Sequence, residues 1–139
     1  MRIVGLALLT LGMLMGIGSN LHAFVDPPSI IIVVTFTVGA LWLSGASLPA
    51  MVRAVTSPGL PADERAEAVS AWKLATHAAV ASGIIGVMVG AVIMLRNIDD
   101  IGAIGPGLAI CILTVFYGTA VGYGVCAPCR RYIESRLTA

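Results

Sequence analysis

Hydrophobic and polar positions along this chain separate into blocks rather than alternate. Four stretches, 3–25, 27–52, 74–95 and 101–129, contain no Asp, Glu, Lys or Arg, so all 8 basic and 7 acidic residues lie between or beyond them. Each stretch is long enough for a helix to cross a bilayer, which takes about 20 mostly apolar residues. Apolar runs without period-two alternation favour helices over barrel strands, and a helix satisfies its own backbone polar groups within lipid. The pattern predicts an all-α membrane protein with four spans, at about 3–18, 29–47, 74–95 and 103–127. A connection over 48–73 is expected between the second span and the third.

Punctuation along the chain refines these elements. The first span carries Gly12-x-x-x-Gly16, a small face that permits close helix approach. Pro27 and Pro28 suit the start of the second, where a missing N–H has no helical partner to lose. Pro49 and Pro58-Gly-Leu-Pro61 interrupt the pattern afterwards. From Ala62 to Leu95 nothing breaks it, and Asp63, Glu64 and Glu67 lie near the positive dipole end. One long helix is therefore predicted, starting outside the bilayer and becoming the third span near Leu74, with Trp72 at the interface. Residues 1–23 share a basic start and a small residue, Ala23, with secretory leaders, but their apolar part is longer than such leaders carry.

The third and fourth spans each bear a stripe of small residues at helical spacing. Ala75, Ala79, Gly83, Gly86 and Gly90 form one; Gly107, Cys111, Thr114, Gly118 and Gly122 form the other. A stripe that packs two helices together reads the same in sequence as one that faces a pore or a partner helix.

Charge placement sets the orientation. Arg2, Arg53, Arg65, Lys73, Arg130, Arg131 and Arg136 fall on one side of the predicted spans, and Arg96 alone falls on the other. The positive-inside rule then puts both termini and the 48–73 connection in the cytoplasm, with the third helix extended into it. A hydrophobic content of 58% with only 11% charged residues fits a multi-pass membrane protein. A net charge of +1 gives no basic field for nucleic acid.

Candidate chemistry is sparse. No carboxylate or lysine lies at membrane depth, where proton carriers usually sit. His77 is the one imidazole inside the third span, suited to a proton relay or to an interfacial hydrogen bond. Cys126-Ala-Pro-Cys129 has redox spacing, which raises a thiol–quinone oxidoreductase similar to DsbB as a rival reading. Against it stand the absence of a second cysteine pair and a cytoplasmic location, where thiols stay reduced. No catalytic residue, resident cofactor or metal site is expected.

Two blocks carry a resemblance. The first is Phe24-Val-Asp-Pro-Pro-Ser-Ile-Ile-Ile-Val-Val34; the second is Met94-Leu-Arg-Asn-Ile-Asp-Asp100, then Ala103-Ile-Gly-Pro-Gly-Leu-Ala109 and Leu113-Thr-Val-Phe-Tyr-Gly118. Both resemble the MotA/TolQ/ExbB family of ion-channel subunits, in wording closest to the sodium-driven PomA branch of flagellar stators. The resemblance implies a homopentameric ring in the lipid bilayer around a single-span MotB- or ExbD-like partner. That partner supplies an aspartate that carries H⁺ or Na⁺, and ion flow drives rotation. It also implies a pathway lined by the third and fourth helices, here Val80, Gly83, Val87, Thr114, Val115 and Gly118. Asp26, Asp99 and Asp100 stand as ion-uptake or partner-contact residues, and Gly86, Gly90 and Gly122 as helix-packing positions. Departures from the family pattern are specific. The 48–73 connection replaces a large cytoplasmic domain, Val87 and Val115 stand at positions matching ion-facing threonines, and Val80 matches a proline. These departures keep open a ring that scaffolds a partner without conducting.

Overall fold

The computed structural model describes residues 24–57 and 59–137, the backbone alone at 103, and isolated positions 5, 11, 12 and 18. Apart from those four positions, the first predicted span, 3–18, lies outside the described residues, Gly16 of its glycine motif included. Among those described the chain is all-helical: α1 (Pro27–Leu43), α2 (Leu48–Thr56), α3 (Ala62–Arg96), α4 (Ile101–Thr119) and α5 (Ala127–Leu137).

Asp26 fixes the start of α1. Its Oδ2 accepts the Ser29 backbone N–H at 3.0 Å and also the Ser29 hydroxyl, while Pro27 and Pro28 occupy the first turn. The helix stops at Leu43, four residues short of the predicted end. Gly45, at φ +75°, takes the left-handed conformation that closes the C-terminus, and Ala46 N–H donates back to the Leu41 carbonyl at 3.0 Å. The chain then turns through 95° into α2. Here the expectation needs correcting. Pro49 does not merely interrupt the pattern; it sits in the first turn of a helix of its own.

The long helix predicted from Ala62 is a single element of 35 residues ending at Arg96. At about 1.5 Å per residue it is about 52 Å long, against a hydrocarbon core about 30 Å thick. After a tight turn, α4 begins at Ile101, two residues before the predicted span, because the Asp100 carboxylate accepts the Gly102 N–H at 2.9 Å and caps the helix. Pro106 is accommodated near its start.

Between α4 and α5 the helix does not end but widens into a π-helical segment, Ala120–Cys126. Pro128 explains it: the residue has no N–H to donate, and its ring would press on the carbonyl four residues back. The wider turn relieves this, with Ala127 N–H donating five residues back to Gly122. The helical path therefore continues to Leu137, ten residues past the predicted span.

Two of these helices are long and apolar enough to cross a membrane, Ala62–Arg96 and Ile104–Leu137, and the bent α1–α2 pair makes a third candidate. With α1 seated on them through Ser29, Val33, Thr37 and Leu41, they form the bundle. Buried hydroxyls are satisfied locally: Thr37 donates to Val33 O at 2.7 Å, Ser82 to Ala79 O at 2.6 Å and Thr114 to Ile110 O at 2.7 Å.

Candidate functional site

The two small-residue stripes meet each other. A Cβ placed on Gly83 would lie 3.0 Å from the Thr114 carbonyl, one on Gly118 would lie 2.5 Å from the Ala79 carbonyl, and one on Gly90 would lie 2.6 Å from Cys111 Sγ. Gly86 lies against the Thr114 side chain, and Gly122 against Thr76 and Val80. Cys111 Sγ donates across the seam to the Val87 carbonyl at 3.3 Å. Such close approach needs residues without side chains, since dispersion between backbones replaces the hydrophobic drive that lipid does not supply. The stripes are thus the seam of an antiparallel α3–α4 hairpin within one subunit.

This seam sorts the residues expected along an ion pathway. Gly83, Thr114 and Gly118 are buried in it, together with the packing positions Gly86, Gly90 and Gly122. Val80 is half-buried at its edge. Val87 and Val115 reach the outer surface, 36% and 40% exposed. Ser82, on the other flank of α3, is fully buried. The face beside Val87 continues through the exposed Ile84, Leu108 and Ile112 and, among the described residues, carries no Asp, Glu, Lys or Arg, while the exposed His77 stands two turns before Ile84.

The acids occupy helix starts. Asp26 and Asp100 are N-caps, and Asp99 is exposed in the turn that joins Arg96 to Ile101. Tyr117 donates its hydroxyl to the carbonyl of Phe24, two residues before Asp26, and Phe24 packs edge-on against Phe116 with ring centroids 5.8 Å apart. The segment leading into α1 is thereby tied to α4. Sequence spacing could not have revealed a contact between residues so far apart along the chain. His77 lies on the exposed side of α3.

At the opposite end, the 48–73 connection packs as a unit. Cys126 is buried with Leu41, Met51, Ala71 and Ala75, and a further layer joins Ala54, Ala68 and Ile133. Trp72 Nε1 donates to the Met51 carbonyl at 3.2 Å, and Arg65 Nη1 donates to the Arg136 carbonyl at 3.0 Å, closing the C-terminal end of α5. The redox reading of the cysteine pair loses support from this setting. Cys126 is a core residue, and burial pushes the Cys129 thiol up, away from the thiolate that redox chemistry needs. No group of three or more metal-ligating side chains comes together among the described residues.

No protein-family model matches the chain. Curated proteins do. It is 35% identical over 60 residues to Motility protein A of Aquifex aeolicus (strain VF5), a stretch covering 43% of this chain and 24% of that protein. It is 48% identical over 50 residues to Chemotaxis protein PomA of Vibrio alginolyticus, covering 36% of this chain and 20% of the relative. The chain is MotA/PomA-like. Motility protein A of Cereibacter sphaeroides adds 36% identity over 67 residues, covering 48% of this MotA/PomA-like chain and 25% of the relative. The matched stretches thus span a quarter or less of the relatives' length.

Proposed function

We propose that this chain is a stator-type subunit of a proton- or sodium-driven membrane assembly. Four spans, with both termini cytoplasmic in a bacterial inner membrane, form a homopentameric ring around a single-span partner. The partner carries the carboxylate that binds the ion. The observation that carries this reading is the face beside the α3–α4 seam, which is apolar through Val87 and Val115, on two spans that hold no Asp, Glu, Lys or Arg. A charge at the bilayer centre costs several kcal/mol unless a polar or ionisable group receives it, so the ion-binding group must come from another chain. Similarity to motility and chemotaxis proteins supports the stator class. Within the ring, Val80, Val87 and Val115 face the partner, Gly83, Thr114 and Gly118 hold the hairpin that presents them, and Asp26, Asp99 and Asp100 lie at the ion-uptake end.

Copurification from the native membrane followed by native mass spectrometry tests the assembly. The expected result is five copies of this chain with a single-span protein bearing an aspartate early in its helix. A monomer, or an oligomer with no such companion, would count against the reading.

A further inference from the structure

Exposed basic side chains flank the three-helix layer at the Cys126 end. The contact between Trp72 and Met51 places α2 and α3 side by side there, and Cys126 brings in the helix leading to α5. Arg53, Lys73 and Arg131 each follow a core residue of this layer by a few positions, and each is exposed. None of the three has a carboxylate partner among the described residues; the ion pair found there joins Arg130 to Glu134 at 3.4 Å. The acids of α3 all precede Lys73: Asp63 and Glu64 by nine or ten residues, about 14 Å along the helix, and Glu67 by six, about 9 Å. The 95° turn after α1 adds a second observation. If α1 crosses the bilayer, α2 runs along its surface, with Met51 and Ala54 packed inward and Val52 and Arg53 turned out. Trp42 and Leu43, 70% and 93% exposed at the end of α1, lie at the same level, where an indole suits the headgroup region.

We propose that this layer is a docking surface for anionic phospholipid headgroups of the cytoplasmic leaflet. Val52 and Leu43 seat in the acyl boundary while Arg53, Lys73 and Arg131 reach phosphates around the circumference. The inference rests on the membrane-spanning reading of α1 and α3. Lipid charge then fixes the height of the subunit, because Arg53, Lys73 and Arg131 lack carboxylate partners among the described residues and the nearby Glu134 is paired with Arg130.

The test uses the full chain in vesicles of equal parts phosphatidylglycerol and phosphatidylcholine, extracted gently and weighed by native mass spectrometry. Phosphatidylglycerol should be retained over phosphatidylcholine, and each charge removed should lower that preference about fivefold. The triple variant Arg53→Gln/Lys73→Gln/Arg131→Gln should retain both lipids equally. The charge-keeping variant Arg53→Lys/Lys73→Arg/Arg131→Lys and the far-end variant Arg96→Gln should keep the wild-type preference. Equal retention by the wild type, or an undiminished preference in the triple Gln variant, would overturn the inference while leaving the stator reading intact. Loss of preference in either control would overturn it as well. Release of the chain from membranes by alkaline carbonate would remove the membrane reading and this inference together.

Discussion

Single residues here divide between those whose chemistry serves the backbone and those left free to meet a partner. Asp26 belongs to the first group: its carboxylate accepts from Ser29 and holds the start of α1. Asp26→Ala should therefore lower thermal stability in detergent by about 0.5–2 kcal/mol, whereas Asp26→Asn, which keeps an accepting oxygen, should change it little. Equal losses from both would point to a need for the charge itself and favour an ion-uptake role. Cys129 is a quieter case. Burial raises its thiol, so the thiolate fraction at neutral pH is small and grows only as pH climbs through the raised value. Maleimide labelling of Cys129 should be slower at pH 7 than for a free thiol and should accelerate on going to pH 9. Rapid labelling at pH 7 would instead restore a reactive cysteine and the redox reading with it.

At the scale of elements, the sequence revealed the long third helix to within a residue, because nothing between Ala62 and Leu95 breaks its pattern and the acids mark its start. It revealed the two glycine stripes but not what they face, since a seam and a pore lining demand the same small residues. Positions of Cβ atoms decide that, and they place Thr114 against Gly86 and Ala79 against Gly118. Helix α2, the early stop of α1 at Gly45 and the π segment ahead of Pro128 were missed. Each arises from a local backbone event that apolar runs do not record. The seam makes a paired prediction. Gly118→Ala should destabilise the hairpin by about 1–3 kcal/mol, because the new methyl meets a carbonyl that cannot yield. Gly39→Ala in α1, with nothing within 4 Å, should be neutral or stabilising by up to about 1 kcal/mol through helix propensity. Thermal unfolding in detergent separates them, and equal effects would mean the stripes do not touch.

For the whole molecule, the unit seen is a hairpin of two long helices buttressed by α1 and closed at one end by the packed 48–73 connection. That connection is shorter than the cytoplasmic domain that the resemblance to flagellar stators implies, so contact with a rotor is not expected of it. Expressed with a matching partner in cells lacking their own stator, the chain should leave swimming unrestored; restored motility would show that α2 and the start of α3 transmit torque. The central claim is a division of labour, in which this chain shapes an apolar passage and another chain supplies the charge. Ion flux in proteoliposomes under an imposed potential tests it most directly. The account predicts that the chain alone assembles yet passes neither protons nor sodium. Flux should appear with the single-span partner and vanish when that partner's aspartate becomes asparagine. Substantial flux from this chain alone would contradict it.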